Sequence, residues 1–150
     1  MQYFQERFLY RLSISESKEN FILKGAMLFR IYEMPASRPT VDIDFLGRNT
    51  DNSIDNLTKL MRGIITIECP DGVTFDKDSI SSETIKEKDD YPGIRMFCIA
   101  FLGTAKTRLH FDIGFGDEVI PRPALMDFPV LLENSPIPEI VAYSPESAIE

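Results

Sequence analysis

The feature that most constrains the fold of this chain is a short alternation, Val41-Asp42-Ile43-Asp44-Phe45, lying downstream of the glycine-punctuated block Phe21-Ile22-Leu23-Lys24-Gly25-Ala26-Met27-Leu28. Alternation of apolar and acidic residues has the period of a β-strand, whose successive side chains point to opposite faces. Val41, Ile43 and Phe45 are thereby directed into a core, and Asp42 and Asp44 onto the other face. The two carboxylates stand roughly 7 Å apart at Cα and repel by about 2 kcal/mol at an effective dielectric near 20. A divalent cation relieves that repulsion, which makes the pair a candidate metal site. Upstream, Phe21 to Leu23 reads as a short strand. Gly25 is free to take the positive φ of a tight turn, and Met27, Leu28 and Ile31 recur at helical spacing. A helix begun at such a turn points bare backbone N–H groups at whatever lies beyond it.

Elsewhere the chain alternates helix and strand signals. Phe4, Phe8, Leu9 and Leu12 form one helical stripe, with Glu6, Arg7 and Arg11 expected off it. Ile54, Leu57, Leu60, Met61 and Ile64 predict a second helix, weakened at its end by Gly63. Cys69-Pro70-Asp71-Gly72 is a turn signal, and Val73 to Ile85 reads as a polar strand or strand pair, weakly alternating, at a sheet edge. Asp89 to Gly93 predicts a turn. Ile94 to Leu102 is apolar on both faces, as in a central buried strand, and Gly103-Thr104 joins it to a partner. In that partner, Leu109, Phe111, Ile113 and Phe115 alternate with Arg108, His110, Asp112 and Gly114, so Asp112 is a third acid on a polar sheet face. Short strands are expected near Phe128 to Leu132 and over Glu139 to Tyr143. Ser144-Pro145-Glu146 opens a helix, which predicts that the chain continues beyond Glu150.

An Asp-x-Asp triplet alone carries little information, and a second one occurs at Asp76 and Asp78. That one sits beside Lys77 in a polar segment and reads as solvated strand edge. The context of Asp42 and Asp44 is what separates them: an apolar strand pattern, a preceding glycine turn and a third acid at Asp112.

The 150 residues amount to about one domain, 1–150. No apolar run approaches the roughly 20 residues of a membrane span, and the charged N-terminus is no signal peptide, so a cytoplasmic protein without membrane contact is expected. Cys69 and Cys98 are too few for a disulfide framework and lack zinc-ligand spacing; both are expected to be free, buried thiols. With 24 acidic against 16 basic residues and a net charge of −8, polyanion binding over the whole surface is excluded. Any such binding must be local, and Lys24, Arg30, Arg38, Lys106 and Arg108 are the candidate cations.

Three blocks in order, Leu23-Lys24-Gly25-Ala26-Met27-Leu28, Arg38-Pro39-Thr40-Val41-Asp42-Ile43-Asp44-Phe45 and Leu109-His110-Phe111-Asp112-Ile113-Gly114, resemble the signature of the AbiEii/AbiGii toxin family of nucleotidyltransferases. The resemblance implies an α/β (α+β) fold of the polymerase-beta-like nucleotidyltransferase type, a mixed sheet flanked by helices. It implies that Asp42, Asp44 and Asp112 are catalytic and hold Mg²⁺ or Mn²⁺. Lys24, Gly25, Ala26 and Arg38 would hold the phosphates of a nucleoside triphosphate. It also implies a role as toxin in a toxin-antitoxin or abortive-infection system, with an antitoxin protein as partner and tRNA, other RNA or protein as acceptor. Two departures stand out: Ala26 occupies the place where the family commonly has a second Gly or a Ser, and the family's helical C-terminal part is missing.

On this reading the reaction is transfer of a nucleoside monophosphate, which demands charge neutralisation and in-line positioning more than covalent help. Two rivals remain open: a non-catalytic nucleotide- or partner-binding module of the same fold, and a metal-dependent nuclease using the same acids.

Overall fold

The first helix, α1 (Gln2–Ser13), is set by its apolar stripe, and Phe4, Phe8, Leu9 and Leu12 are all buried. A 3-10 turn at Lys18–Asn20 leads into β1 (Phe21–Lys24), a second 3-10 turn at Gly25–Met27 and a single helical turn, α2 (Leu28–Ile31). There follow β2 (Asp42–Gly47), α3 (Ile54–Ile65), β3 (Val73–Lys86), β4 (Pro92–Leu102), β5 (Ala105–Gly114), β6 (Ala124–Asp127) and β7 (Glu139–Ala142). The computed structural model describes residues 1–32, 41–86, 92–116 and 123–143. Arg38, most of the expected turn at Asp89 to Gly93 and the helix start at Ser144 lie outside the described residues.

The strands form one mixed sheet of seven in the order β3-β4-β5-β2-β1-β7-β6. The β2/β5 and β1/β7 pairs are parallel, and the other four are antiparallel. One face carries the core. Phe8 of α1 packs on Phe111 of β5 at a centroid separation of 4.4 Å and on Phe45 of β2 at 6.4 Å, with Ile43, Met96, Cys98, Leu109 and Ile113 around them. Leu57, Met61, Ile64 and Ile65 of α3 complete that layer, and Ser53 caps the helix by accepting a hydrogen bond from the Asn56 amide.

Several expectations fail in an informative way. Val41 precedes the first paired residue of β2 and is 51% exposed, so only Ile43 and Phe45 of the alternation reach the core. In β4, Ile94, Met96, Cys98 and Ala100 are buried while Arg95, Phe97, Ile99 and Phe101 are half-exposed: the strand is covered on one face, not two. The short strand expected at Phe128 to Leu132 lies earlier, at Ala124–Asp127. Pro129 has no N–H to give a ladder, and the pairing ends with Phe128, whose amide donates to Pro138 at 2.8 Å. The largest surprise is α1, where Glu6, Arg7 and Arg11 are buried together with the apolar stripe. Glu6 accepts from the Leu131 amide (2.7 Å) and pairs with Arg7 (2.8 Å), Arg7 donates to the Pro136 carbonyl, and Arg11 grips both oxygens of Asp71. The loop after β6 and the turn before β3 therefore close over the helix face that was expected to be wet.

Candidate active site

The face opposite α1 carries the polar residues of the alternating strands. In the parallel β2/β5 pair Asp42 lies opposite His110 and Asp44 opposite Asp112, so all three acids share one face of the sheet. The antiparallel β1/β2 pair sets Lys24 beside Asp44, β4/β5 sets Arg95 beside Asp112, and β3/β4 sets Glu83 beside Arg95. One transverse row thus reads Lys24, Asp44, Asp112, Arg95, Glu83 across five strands, and the next reads Asp42, His110, Phe97, Ser81.

Within the first row Asp112 is held firmly. The Arg95 guanidinium donates from Nε to Oδ1 at 2.8 Å and from Nη2 to Oδ2 at 3.2 Å, the bidentate geometry of a strong charge-assisted pair. That hydrogen bond, followed by the field of the same carboxylate, raises the Arg95 pKa above its ordinary value. Glu83 stands 3.9 Å from the same guanidinium. In the second row His110 Nδ1 lies 3.6 Å from Asp42 Oδ1. Among the described residues no three acids, histidines or cysteines are gathered closely enough to hold a metal ion as they stand.

Gly25 is the element the backbone turn requires. Its φ is +75°, and a Cβ built there would come within 2.3 Å of Asp44 Oδ2. Only glycine lets the end of β1 turn so close to the acid strand. No described side chain caps the 3-10 turn Gly25–Met27, and the helical segment behind it, α2, is four residues long. The turn therefore offers local amide groups, and the helix expected behind it is found as the short α2 among the described residues. Ala26 is exposed at this turn, Lys24 is half-buried beside it, and Arg38 lies outside the described residues.

Of the other candidate cations, Arg30 is turned away: its guanidinium sits over Phe128 at 4.7 Å, and burial lowers its pKa. Asp76 and Asp78 close a bulge at the sheet edge, where Asp76 accepts from the Asp78 amide at 2.9 Å, in keeping with a structural reading of that triplet. Cys69 and Cys98 are free; Cys98 is buried and Cys69 only partly so.

Arg95 and Glu83 were missed by the sequence reading, although the signal for Arg95 was available. Counting outward from the Gly103-Thr104 hairpin sets Arg95 opposite Asp112, and opposite charges directly across an antiparallel pair attract.

No curated protein sequence matches the chain. Two solved structures share its fold. One is a candidate nucleotidyltransferase from H. pylori, 16% identical with a TM-score of 0.51 over 99% of this chain and 56% of the other. The second is JHP933 from Helicobacter pylori, 17% identical with a TM-score of 0.51 over 99% of this chain and 54% of the other. The chain thus spans little more than half the length of either. The family model for the nucleotidyl transferase AbiEii toxin of type IV toxin-antitoxin systems matches residues 7–149, and by that match the chain belongs to the AbiEii nucleotidyl transferase toxin family.

Proposed function

We propose that the protein transfers a nucleoside monophosphate from a nucleoside triphosphate to an acceptor hydroxyl, with release of pyrophosphate, as the cytoplasmic toxin of a toxin-antitoxin pair. The observation that carries this reading is the registered neighbourhood of Asp44 and Asp112, flanked by a Gly25 turn that only glycine can make. The donor set suits a hard divalent cation: carboxylate oxygens on rigid neighbouring strands, with Asp42 two residues from Asp44 on the same face. Asp42 and Asp44 would hold Mg²⁺ or Mn²⁺, which supplies charge neutralisation on the phosphates and activates the acceptor oxygen.

The protein's own groups do the rest. Amides of the Gly25 and Ala26 turn receive the triphosphate tail, with Lys24 and Arg38 adding positive charge. His110, whose Nδ1 lies 3.6 Å from Asp42 Oδ1, flanks the acid pair. Asp112 completes the acid set once Arg95 releases it, and Glu83 provides a second carboxylate for the guanidinium to move toward. RNA is the proposed acceptor, and an antitoxin protein the proposed partner. No helix among the described residues is long and apolar enough to cross a membrane.

The Arg95 clamp also favours a second reading, a nucleotide-binding module without turnover, because it neutralises one acid of the set. Incubation with each labelled nucleoside triphosphate, Mg²⁺ and total cellular RNA separates the two. Label on RNA supports the transferase. Bound but unreacted nucleotide supports the module, and shortened, unlabelled RNA supports a nuclease in place of both.

A further inference from the structure

Beyond the acid row, the same open face changes character along β5. The side chains that follow Asp112 on this face are His110, Arg108 and Lys106, and their neighbours on β4 are Phe97, Ile99 and Phe101. The Arg108 guanidinium carbon lies 3.8 Å from the centroid of the Phe97 ring, His110 meets the same ring edge-on at 4.8 Å, and Lys106 Nζ is 6.0 Å from the centroid of Phe101. Arg108 and Lys106 are exposed, and neither side chain makes an ion pair or hydrogen bond with any described residue. In a chain of net charge −8, two cations laid over aromatic rings and left unneutralised form a local positive strip that leads to the carboxylates. At its inner end the strip meets Asp42, opposite His110, and across β4 from Arg108 lies Asp76 of β3, whose carboxylate is engaged with the Asp78 amide.

We infer that the β4–β5 strip of Lys106, Phe101, Arg108, Phe97 and His110 binds the unpaired end of a polynucleotide and delivers it to Asp44 and Asp112. The inference rests on the transferase reading and names the surface that its acceptor uses. Interleaved aromatic and cationic side chains are the shared device of single-strand binding: rings and guanidinium planes stack on bases, and the charges follow the phosphates. Charge complementarity selects the occupant. A polyanion satisfies Arg108 and Lys106, whereas an apolar partner would bury both without a counter-charge. Stacking selects a single strand over a duplex, because paired bases hide the faces that a ring would cover.

The test is binding of a short, fluorescently labelled single-stranded RNA by anisotropy, beside calorimetric titration of a nucleoside triphosphate with Mg²⁺. Arg108→Glu and Lys106→Glu are expected to weaken RNA binding at least about tenfold each and to reduce the salt slope by about 1 per removed contact. Phe97→Leu, which keeps the ring's volume class and the fold, is expected to weaken the single strand and leave duplex RNA unchanged. Nucleotide affinity should stay unchanged in all three. RNA binding that survives the Arg108→Glu, Lys106→Glu double variant overturns the inference while leaving the transferase reading standing, provided nucleotide binding depends on Asp44. Equal competition by polyglutamate also overturns it, since the strip then recognises charge alone. Nucleotide binding that is insensitive to Asp44→Asn overturns the transferase reading, and the acceptor role falls with it.

Discussion

The two faces of the sheet use the same residue types under opposite conditions. Behind it, Glu6, Arg7, Arg11 and Asp71 are sealed by loops, and the Arg11 guanidinium donates to Asp71, Ile67, Arg7 and Val73. In front, Asp44, Asp112, Arg95 and Glu83 run across neighbouring strands, with the Arg95 and Glu83 side chains 36% and 56% exposed and that of Asp112 16%. Buried ions are costly unless well paired; the rear set is densely bonded, with Arg7 Nη1 buried and unpartnered, and it fastens α1 to the loops that cover it. Charges on the less buried face keep water and can exchange partners, as the proposed site, which would receive and release phosphates, requires. The difference teaches that burial and density of pairing, more than charge itself, separate fastening from the proposed chemistry.

That contrast can be broken most forcefully at Arg11. Arg11→Ala leaves Asp71 buried without its partner and is expected to cost about 3–5 kcal/mol of unfolding free energy, measured by urea denaturation. A loss below about 1 kcal/mol would mean that the rear set is wetter than its geometry implies. Asp44→Asn makes the converse case: transfer should fall by about a hundredfold or more, roughly 3 kcal/mol in transition-state terms, with the urea midpoint nearly unchanged. Next in size is metal linkage. Mg²⁺ at a hundredfold excess over its dissociation constant should stabilise the wild type by about 2.7 kcal/mol in thermal melts, and Asp44→Asn should remove most of that gain. Arg95→Ala should enlarge it, because Asp112 is then released to the cation.

The smallest effect per step of the titrated variable concerns the core face itself. Burial pushes the Cys98 thiol up from 9.0 to about 12. The unfolded chain therefore loses this proton first. Stability is fully present below pH 9 and falls between pH 9 and 12, by at most about 1.4 kcal/mol per pH unit. Cys98→Ala should flatten that slope in alkaline urea titrations, whereas Asp44→Asn on the open face should leave it unchanged.

What the sequence disclosed follows the same division. Alternation in β2 and β5 disclosed which acids share a face, because strand period is local information. The glycine turn was legible too, since positive φ narrows the choice of residue. The burial of Glu6, Arg7 and Arg11 was not: it depends on Leu131, Pro136 and Asp71, far along the chain, and helical periodicity carries no trace of loops that fold back. β4 was misread because an apolar strand looks the same whether its second face meets a helix or the β4–β5 strip described above. The parallel contact between β2 and β5 was likewise out of reach, since α3 and the whole β3–β4 pair intervene.

That last pairing has a consequence in time. β2 and β5 are paired across the intervening α3, β3 and β4, and such distant closures are slow because loop entropy must be overcome before any contact compensates. A chain emerging from the ribosome through Gly47 holds Asp42 and Asp44, with Lys24 of β1 to set beside Asp44, but lacks the β5 acid that lies across from it. The Asp44–Asp112 neighbourhood comes into being only with the β2/β5 closure, so the proposed chemistry requires that closure to be complete.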